Sequence, residues 1–335
     1  MRRLLCLLMA LLPLAGARAA DHGVAIMYHR FGENSIPSTN IRLEQLDQHI
    51  AVLKSGPYSV LPLDELVRRM GEGTLPDRAV AITVDDAYRS FLTEGWPRFR
   101  RAGLPVTLFV ASEPVDSKVR GYLTWDEIRR LRDEGVAIGH HSHRHPYLPS
   151  LDAAGIRHDL ATATARFTAE LGAVPPLFAY PYGAWSLDAR KAVEEAGFAT
   201  GFGQNSGVMH AGHDPLTLPR FPLNENFGSV ERLRQALDAL PLRLADIAPA
   251  DPVLARGQLP ALSFTLAEDL PRIAQLNCFS TIAGLKLDVA RTGRRVEIRQ
   301  PQPFGPGYGR LSCTVPAQNA PGRFHWFSRQ FYIRS

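Results

Sequence analysis

Two clusters of side chains in this 335-residue sequence have the types and spacing that hydrolytic chemistry needs. The first is the pair Asp85-Asp86 in Ala81-Ile82-Thr83-Val84-Asp85-Asp86-Ala87-Tyr88. Adjacent carboxylates at the end of an apolar run repel each other and lose hydration. A divalent cation on one of them would offset that cost and leave its neighbour free as a base. An Asp-rich turn or helix N-terminus would also account for the pair taken alone. The second cluster is Gly139-His140-His141-Ser142-His143-Arg144-His145-Pro146, with four histidines in six residues. Neutral imidazoles three or four positions apart can face one zinc-like ion if the chain coils between them. A solvated histidine tract is the alternative, although this one lies mid-sequence, directly after an apolar stretch.

Elements that could position these groups are legible around them. Val24 to Tyr28, Val80 to Val84, Pro105 to Val110, Val136 to Gly139, Leu177 to Tyr180 and Ala199 to Gly203 read as strands buried on both faces. Between them, Leu43 to Leu53, Leu63 to Met70, Leu92 to Arg101, Trp125 to Arg132, Ala154 to Leu171 and Leu187 to Ala196 carry apolar residues at three and four spacing, the helical period. Thr124 with Glu127 has capping-box spacing. Alternating strands and helices predict an α/β fold, a distorted (β/α) barrel of about seven strands with its functional loops at the strand C-terminal ends. Asp85-Asp86, the histidine run and Pro181-Tyr182-Gly183 all fall at such ends.

Beyond residue 240 the pattern changes. Pro241, Pro249, Pro252 and Pro260 suggest a linker, and period-two runs such as Arg295 to Arg299 and Phe324 to Ile333 suggest antiparallel strands. The expected organisation is a signal peptide over 1–20, a barrel over 21–240, a linker over 241–254 and a small all-β, sandwich-like module over 255–335. The signal is read from Arg2-Arg3, the apolar Leu4 to Leu14 and the small-residue site Ala17-Arg18-Ala19; the apolar run is well short of the roughly 20 residues a span needs. Export to the periplasm or exterior follows, with no stable membrane span after cleavage. Cys6 leaves with the signal, so Cys278 and Cys313 form an even pair, read as a disulfide worth roughly 3 to 4 kcal/mol. Lys and Arg total 38 against 33 acidic residues, spread without long runs, and nucleic acid is not an expected partner.

Three segments together resemble the NodB-homology polysaccharide deacetylases, carbohydrate esterase family 4. Thr83-Val84-Asp85-Asp86 is similar to the family's first motif, Ile138-Gly139-His140-His141-Ser142-His143-Arg144-His145-Pro146 to its His-(Ser/Thr)-x-x-His second, and Phe178-Ala179-Tyr180-Pro181-Tyr182-Gly183 to its third. Order and spacing agree over roughly residues 22 to 225. Met27-Tyr28-His29-Arg30 further resembles the branch with deacetylases of biofilm poly-N-acetylglucosamine. The resemblance implies that Asp86, His141 and His145 bind one divalent metal, zinc with cobalt or nickel as alternatives, and that Asp85 is the general base. It also implies that Tyr182, through its backbone N–H, and Pro181 form the substrate and oxyanion side. The partner would be an N-acetylated polysaccharide.

Two features depart from the family. Ala179 stands where an Arg commonly orients the base, so Arg220 or Arg30 would have to substitute. The late Leu-His pair, whose histidine protonates the leaving amine, has no clean counterpart; His210 and His213 are candidates by type alone. His29, Tyr88 and Trp185 could line the site or serve packing, and His140 and His143 are expected outside the ligand set. A glycan-binding protein of low activity, or an amidase or esterase of a small N-acyl compound, are the competing readings.

Overall fold

The computed structural model describes residues 19–334; residues 1–18 of the segment read as a signal peptide, Cys6 among them, lie outside the described residues. Six strands run parallel in the order β1 (His22–Tyr28), β2 (Ala79–Asp85), β3 (Thr107–Val110), β4 (Ala137–His140), β5 (Phe178–Ala179) and β6 (Gly201–Phe202). A seventh segment closes the ring. Leu218 bridges Phe202 of β6, and three residues later β7 (Phe221–Pro222) pairs in parallel with Ile26 and Met27 of β1. The expected seven-stranded distorted barrel is what forms. Its central strands are apolar on both faces because helices cover the outside: α1 (Leu43–Ser55), α2 (Leu63–Gly71), α3 (Trp96–Ala102), α4 (Ser112–Asp116), α5 (Trp125–Asp133), α6 (Ala153–Leu171), α7 (Leu187–Glu195) and α8 (Val230–Leu237). Thr124 caps α5 through the Glu127 N–H, and Glu127 returns a bond to the Thr124 N–H, the capping box read from sequence.

After α8 the chain builds two facing sheets. One contains β8 (Leu240–Pro241), β10 (Val253–Leu254), β12 (Asn277–Ser280), β15 (Gly307–Pro316) and β16 (Phe324–Ile333); the other contains β9 (Leu244–Ala248), β11 (Ala261–Leu266), β13 (Asp288–Thr292) and β14 (Arg295–Arg299). Phe264, Val296 and Ile298 from one sheet and Leu311, Val315 and Phe331 from the other share one core, as in a sandwich. Cys278 and Cys313 are directly opposed across β12 and β15 and are disulfide-bonded. The stretch 241–254, expected as a linker, holds the end of one short strand and two more, joined by short irregular segments. Pro241 ends β8 at the sheet edge, where a missing N–H is tolerated, while Pro249 and Pro252 lie in the short connection between β9 and β10. Among the described residues no helix is long and apolar enough to cross a membrane.

Candidate active site

Asp85 is the last residue of β2 and is fully buried; Asp86 and Ala87 then turn the chain through left-handed backbone, φ 75° and 61°. Left-handed backbone is uncommon outside glycine and costs roughly 1–2 kcal/mol, so it persists only where neighbours enforce it. Here the Leu123 N–H bonds the Ala87 carbonyl and the Arg89 N–H bonds the Gly121 carbonyl. The same conformation recurs at Ser142, His145 and Tyr182. Strained backbone thus gathers at the residues that the sequence marked as chemical.

Past β4 the histidine run coils tightly. The Ser142 hydroxyl accepts the His145 N–H at 3.2 Å, while the buried Asp159 of α6 accepts the N–H groups of His143 and Arg144 at 2.9 and 3.1 Å. Gly139 is required just before the coil, since a Cβ there would lie 2.3 Å from the Phe109 ring. The result brings the His141 and His145 ring centroids to 4.8 Å. His141 Nδ1 sits 2.7 Å from the Ala179 carbonyl, which can only accept, so Nδ1 carries the proton and Nε2 keeps its lone pair.

Three ligand atoms converge. His145 Nε2 and His141 Nε2 are 3.2 Å apart, and Asp86 Oδ1 lies 3.1 Å from the first and 3.5 Å from the second. An ion with tetrahedral bonds of about 2.1 Å would separate its ligands by about 3.4 Å. Asp86 Oδ1 is also buried without a hydrogen-bond donor, an orphaned acceptor that a cation would satisfy. Asp86, His141 and His145 form the one such group among the described residues, and its chemistry fits a divalent ion of zinc type. Burial works against the Asp86 charge, but His145 and His141 hold its carboxyl well below the usual range. For His145 burial favours the neutral ring and Asp86 outweighs it, so its pKa is raised.

Asp85 faces a different partner. Arg220, fully buried, donates from Nη1 and Nη2 to the two Asp85 oxygens at 2.7 and 2.8 Å, from Nη1 to Thr83 Oγ1 at 3.2 Å and from Nε to the Gly203 carbonyl at 2.9 Å. Burial alone would raise the Asp85 carboxyl; Arg220, then His141, bring it below the ordinary value. Of the two substitutes considered for the missing arginine, Arg220 makes this tether. Arg30 instead stacks over Tyr88 at 3.4 Å and pairs with Glu33 at 2.6 Å.

The remaining candidates separate by position. His29, one residue past β1, lies within electrostatic reach of Asp86, Asp85 and His141, and burial lowers its pKa. His210 pairs with His22 at the N-terminal end of β1, and His213 stacks on His210 at 3.9 Å. That end is roughly 20 Å from the rim at the rise of a strand, so neither ring reaches the aspartates. Type gave these two no location; the topology places them at the wrong end of the barrel. His140 is buried among Phe167, Phe178 and Phe198, which pushes its imidazole down to about 3. His143 hydrogen-bonds Ser112 at 2.8 Å. Pro181 is buried and Tyr182 is about a third exposed, its ring 4.5 Å from that of His145. Trp185 is covered by Arg329 at 4.7 Å.

Residues 72–201, which contain all the converging groups except Arg220, match the family described as polysaccharide deacetylase. They form a polysaccharide deacetylase domain. The deacetylase domain and its flanks are 22% identical over 184 residues to YxkH of Bacillus subtilis (strain 168), provisionally named a polysaccharide deacetylase, covering 55% of this chain and 64% of that one. Identity to the poly-beta-1,6-N-acetyl-D-glucosamine N-deacetylase of Escherichia coli (strain K12) is 22% over 233 residues, 56% of this chain and 34% of that protein. The chain therefore spans less than two thirds of the length of these curated relatives. The Streptococcus pyogenes deacetylase PplD, solved with acetate, superposes with a TM-score of 0.60 at 21% identity over 64% of this chain and 98% of its own, a likeness of fold.

Asp159 escaped the sequence reading, yet the deacetylase domain depends on it to coil the histidine loop. Its signal was available: within α6 it shares the buried face of Ile156, Leu160, Ala163 and Phe167, a carboxylate on an apolar stripe. Asp159→Asn keeps the shape but presents an NH2 where an acceptor is needed. Metal affinity, read by competition with a coloured chelator, is expected to fall about 10- to 100-fold. Unchanged affinity would mean that the loop holds its shape without Asp159.

Proposed function

We propose that this chain is a metal-dependent hydrolase that removes N-acetyl groups from N-acetylhexosamine units of a cell-envelope or extracellular polysaccharide. The observation that carries the reading is the convergence of Asp86, His141 and His145 around one orphaned, buried carboxylate oxygen, with Asp85 alongside, tethered separately by Arg220. Names of the similar proteins support the substrate class, and the residues read as an export signal support a location outside the cytoplasm.

A divalent ion held by Asp86, His141 and His145 would supply Lewis-acid polarisation of the acetamide carbonyl and acidify a water molecule. Asp85, charged at neutral pH and locked by Arg220, takes a proton from water as its oxygen adds to the carbonyl carbon. The Tyr182 N–H faces the negative charge that grows on the carbonyl oxygen. As the C–N bond breaks, the amine takes a proton, and His29, within electrostatic reach of both aspartates and outside the ligand set, is the imidazole that can relay it. Acetate and a free hexosamine unit result.

Acetate release from N-acetylglucosamine oligomers tests the reading. Release that stops on chelation and returns with added zinc or cobalt is expected. Release from monomeric N-acyl compounds alone, or none from any oligomer, would refute it.

A further inference from the structure

Strand β16 of the sandwich lies against the barrel rim, and its residues alternate between two jobs. Phe327, Phe331 and Ile333 point into the sandwich core. Trp326, Ser328, Gln330 and Tyr332 contact the barrel. Trp326 packs on Phe221 at 5.5 Å and joins the barrel core, and the Ser328 carbonyl accepts from Asn205 at 3.0 Å. Gln330 Nε2 donates to the Tyr182 carbonyl at 2.8 Å, and Tyr332 packs against Tyr147 at 5.3 Å. Such alternation is the period of a strand between two buried faces.

Two of these contacts converge on Tyr182. Its backbone is left-handed, φ 57° and ψ 9°, a conformation that must be held. Gly183, also left-handed, is wedged so closely against Gln204 that a Cβ would lie 2.2 Å from the Gln204 nitrogen. On the other side Gln330, 5% exposed, grips the carbonyl of the same peptide. The Tyr182 ring stacks on Tyr147 at 4.1 Å and 18°, and Tyr147 rests on Tyr332. Backbone and ring of Tyr182 are therefore both braced by one strand from the C-terminal sandwich.

The Ser328 contact reaches the base through a second loop. Asn205, which donates to Ser328, accepts the Arg220 N–H at 3.2 Å; its neighbour Gln204 lies 3.4 Å from Asp85 Oδ2, and Gly203 accepts from Arg220 Nε. One strand thus touches the loop beside the oxyanion and the loop that holds the base.

We infer that the C-terminal sandwich is part of the catalytic apparatus, with Gln330 as a positioning residue that holds the Tyr182 carbonyl and, through the left-handed φ and ψ of Tyr182, sets the direction of its N–H for the deacetylation proposed above. The inference rests on that reading. Gln330 touches no reacting atom; it acts through Tyr182.

The full chain carrying Gln330→Met keeps the side-chain volume and loses the donor. A fall in kcat of about 10-fold or more is expected, less than the loss of a direct oxyanion donor, with KM and bound metal unchanged. Gln330→Glu supplies a second reading: its carboxylate cannot donate to a carbonyl, whereas its protonated form can. Relative to wild type its kcat should therefore rise as pH falls toward the carboxyl range, a slope that a merely structural role would not give. Amide exchange over residues 182–184 should quicken in both variants whether or not substrate is turned over. Unchanged kcat in both, or a fall that only tracks lost metal, overturns the inference. Wild-type protein that releases no acetate from oligomers would instead defeat the deacetylase reading, and the exchange measurement would still decide the role of Gln330.

Discussion

Arg220→Met is expected to cost about 3–5 kcal/mol of stability, because it leaves the Asp85 carboxylate buried without its partner. The guanidinium makes four hydrogen bonds from a fully buried position, two of them to Asp85. The pH dependence has a definite sign. In the wild-type protein the Asp85 pKa lies below its unfolded value, so its stabilisation is complete above about pH 4 and is lost as pH falls through the folded pKa. In the variant, burial acts unopposed by Arg220 and raises the carboxyl, so the folded state binds the extra proton and weakens as pH rises. The deficit between the two proteins, measured by denaturant unfolding in chelator, should be largest near pH 7.5 and shrink toward pH 4.5. Equal deficits at both pH values would show that Arg220 acts through packing on Phe109 and Phe202 rather than through the Asp85 charge. The acid side of the activity profile should also move upward, since a raised base must be deprotonated before it can act.

Asp85→Asn is expected to lower kcat by about 10²–10⁴-fold while bound metal is retained. An amide cannot take the proton of water. It also turns an NH2 group toward one arm of the Arg220 fork, where a second donor meets a donor, so a stability loss of roughly 1–3 kcal/mol should accompany the lost rate. Metal should stay because Asp86, His141 and His145 converge without Asp85, whose nearer oxygen is 3.9 Å from His141 Nε2. Elemental analysis beside steady-state kinetics separates the two effects. Metal loss equal to that in His141→Ala would show that Asp85 is a ligand and that the base lies elsewhere.

The barrel was legible because its strands are apolar on both faces and its helices keep a three-and-four spacing; both patterns report burial, and burial is what closes a barrel. Asp85-Asp86 and the histidine run stood out because clustered polar groups at the ends of apolar strands demand compensation; the choice of His141 and His145 among the four histidines came from the family resemblance. Arg220 could be named only as one of two substitutes, since nothing in local spacing says which distant arginine crosses the core. His210 and His213 show the converse: residue type without topology put two imidazoles at the wrong end. Prolines near 241–254 read as a tether because a missing N–H breaks central strands, yet an edge strand tolerates it. Gln330 was hidden by the same period-two pattern that revealed its strand, for alternation marks two faces without saying what the outer face meets.

Metal stoichiometry of the purified chain tests the central claim most directly. About one zinc or cobalt ion per chain should bind to the wild-type protein and to Asp85→Asn, with almost none retained by Asp86→Ala or His145→Ala after dialysis. Undiminished metal in Asp86→Ala and His145→Ala, or none in the wild-type protein at saturating ion, would contradict it.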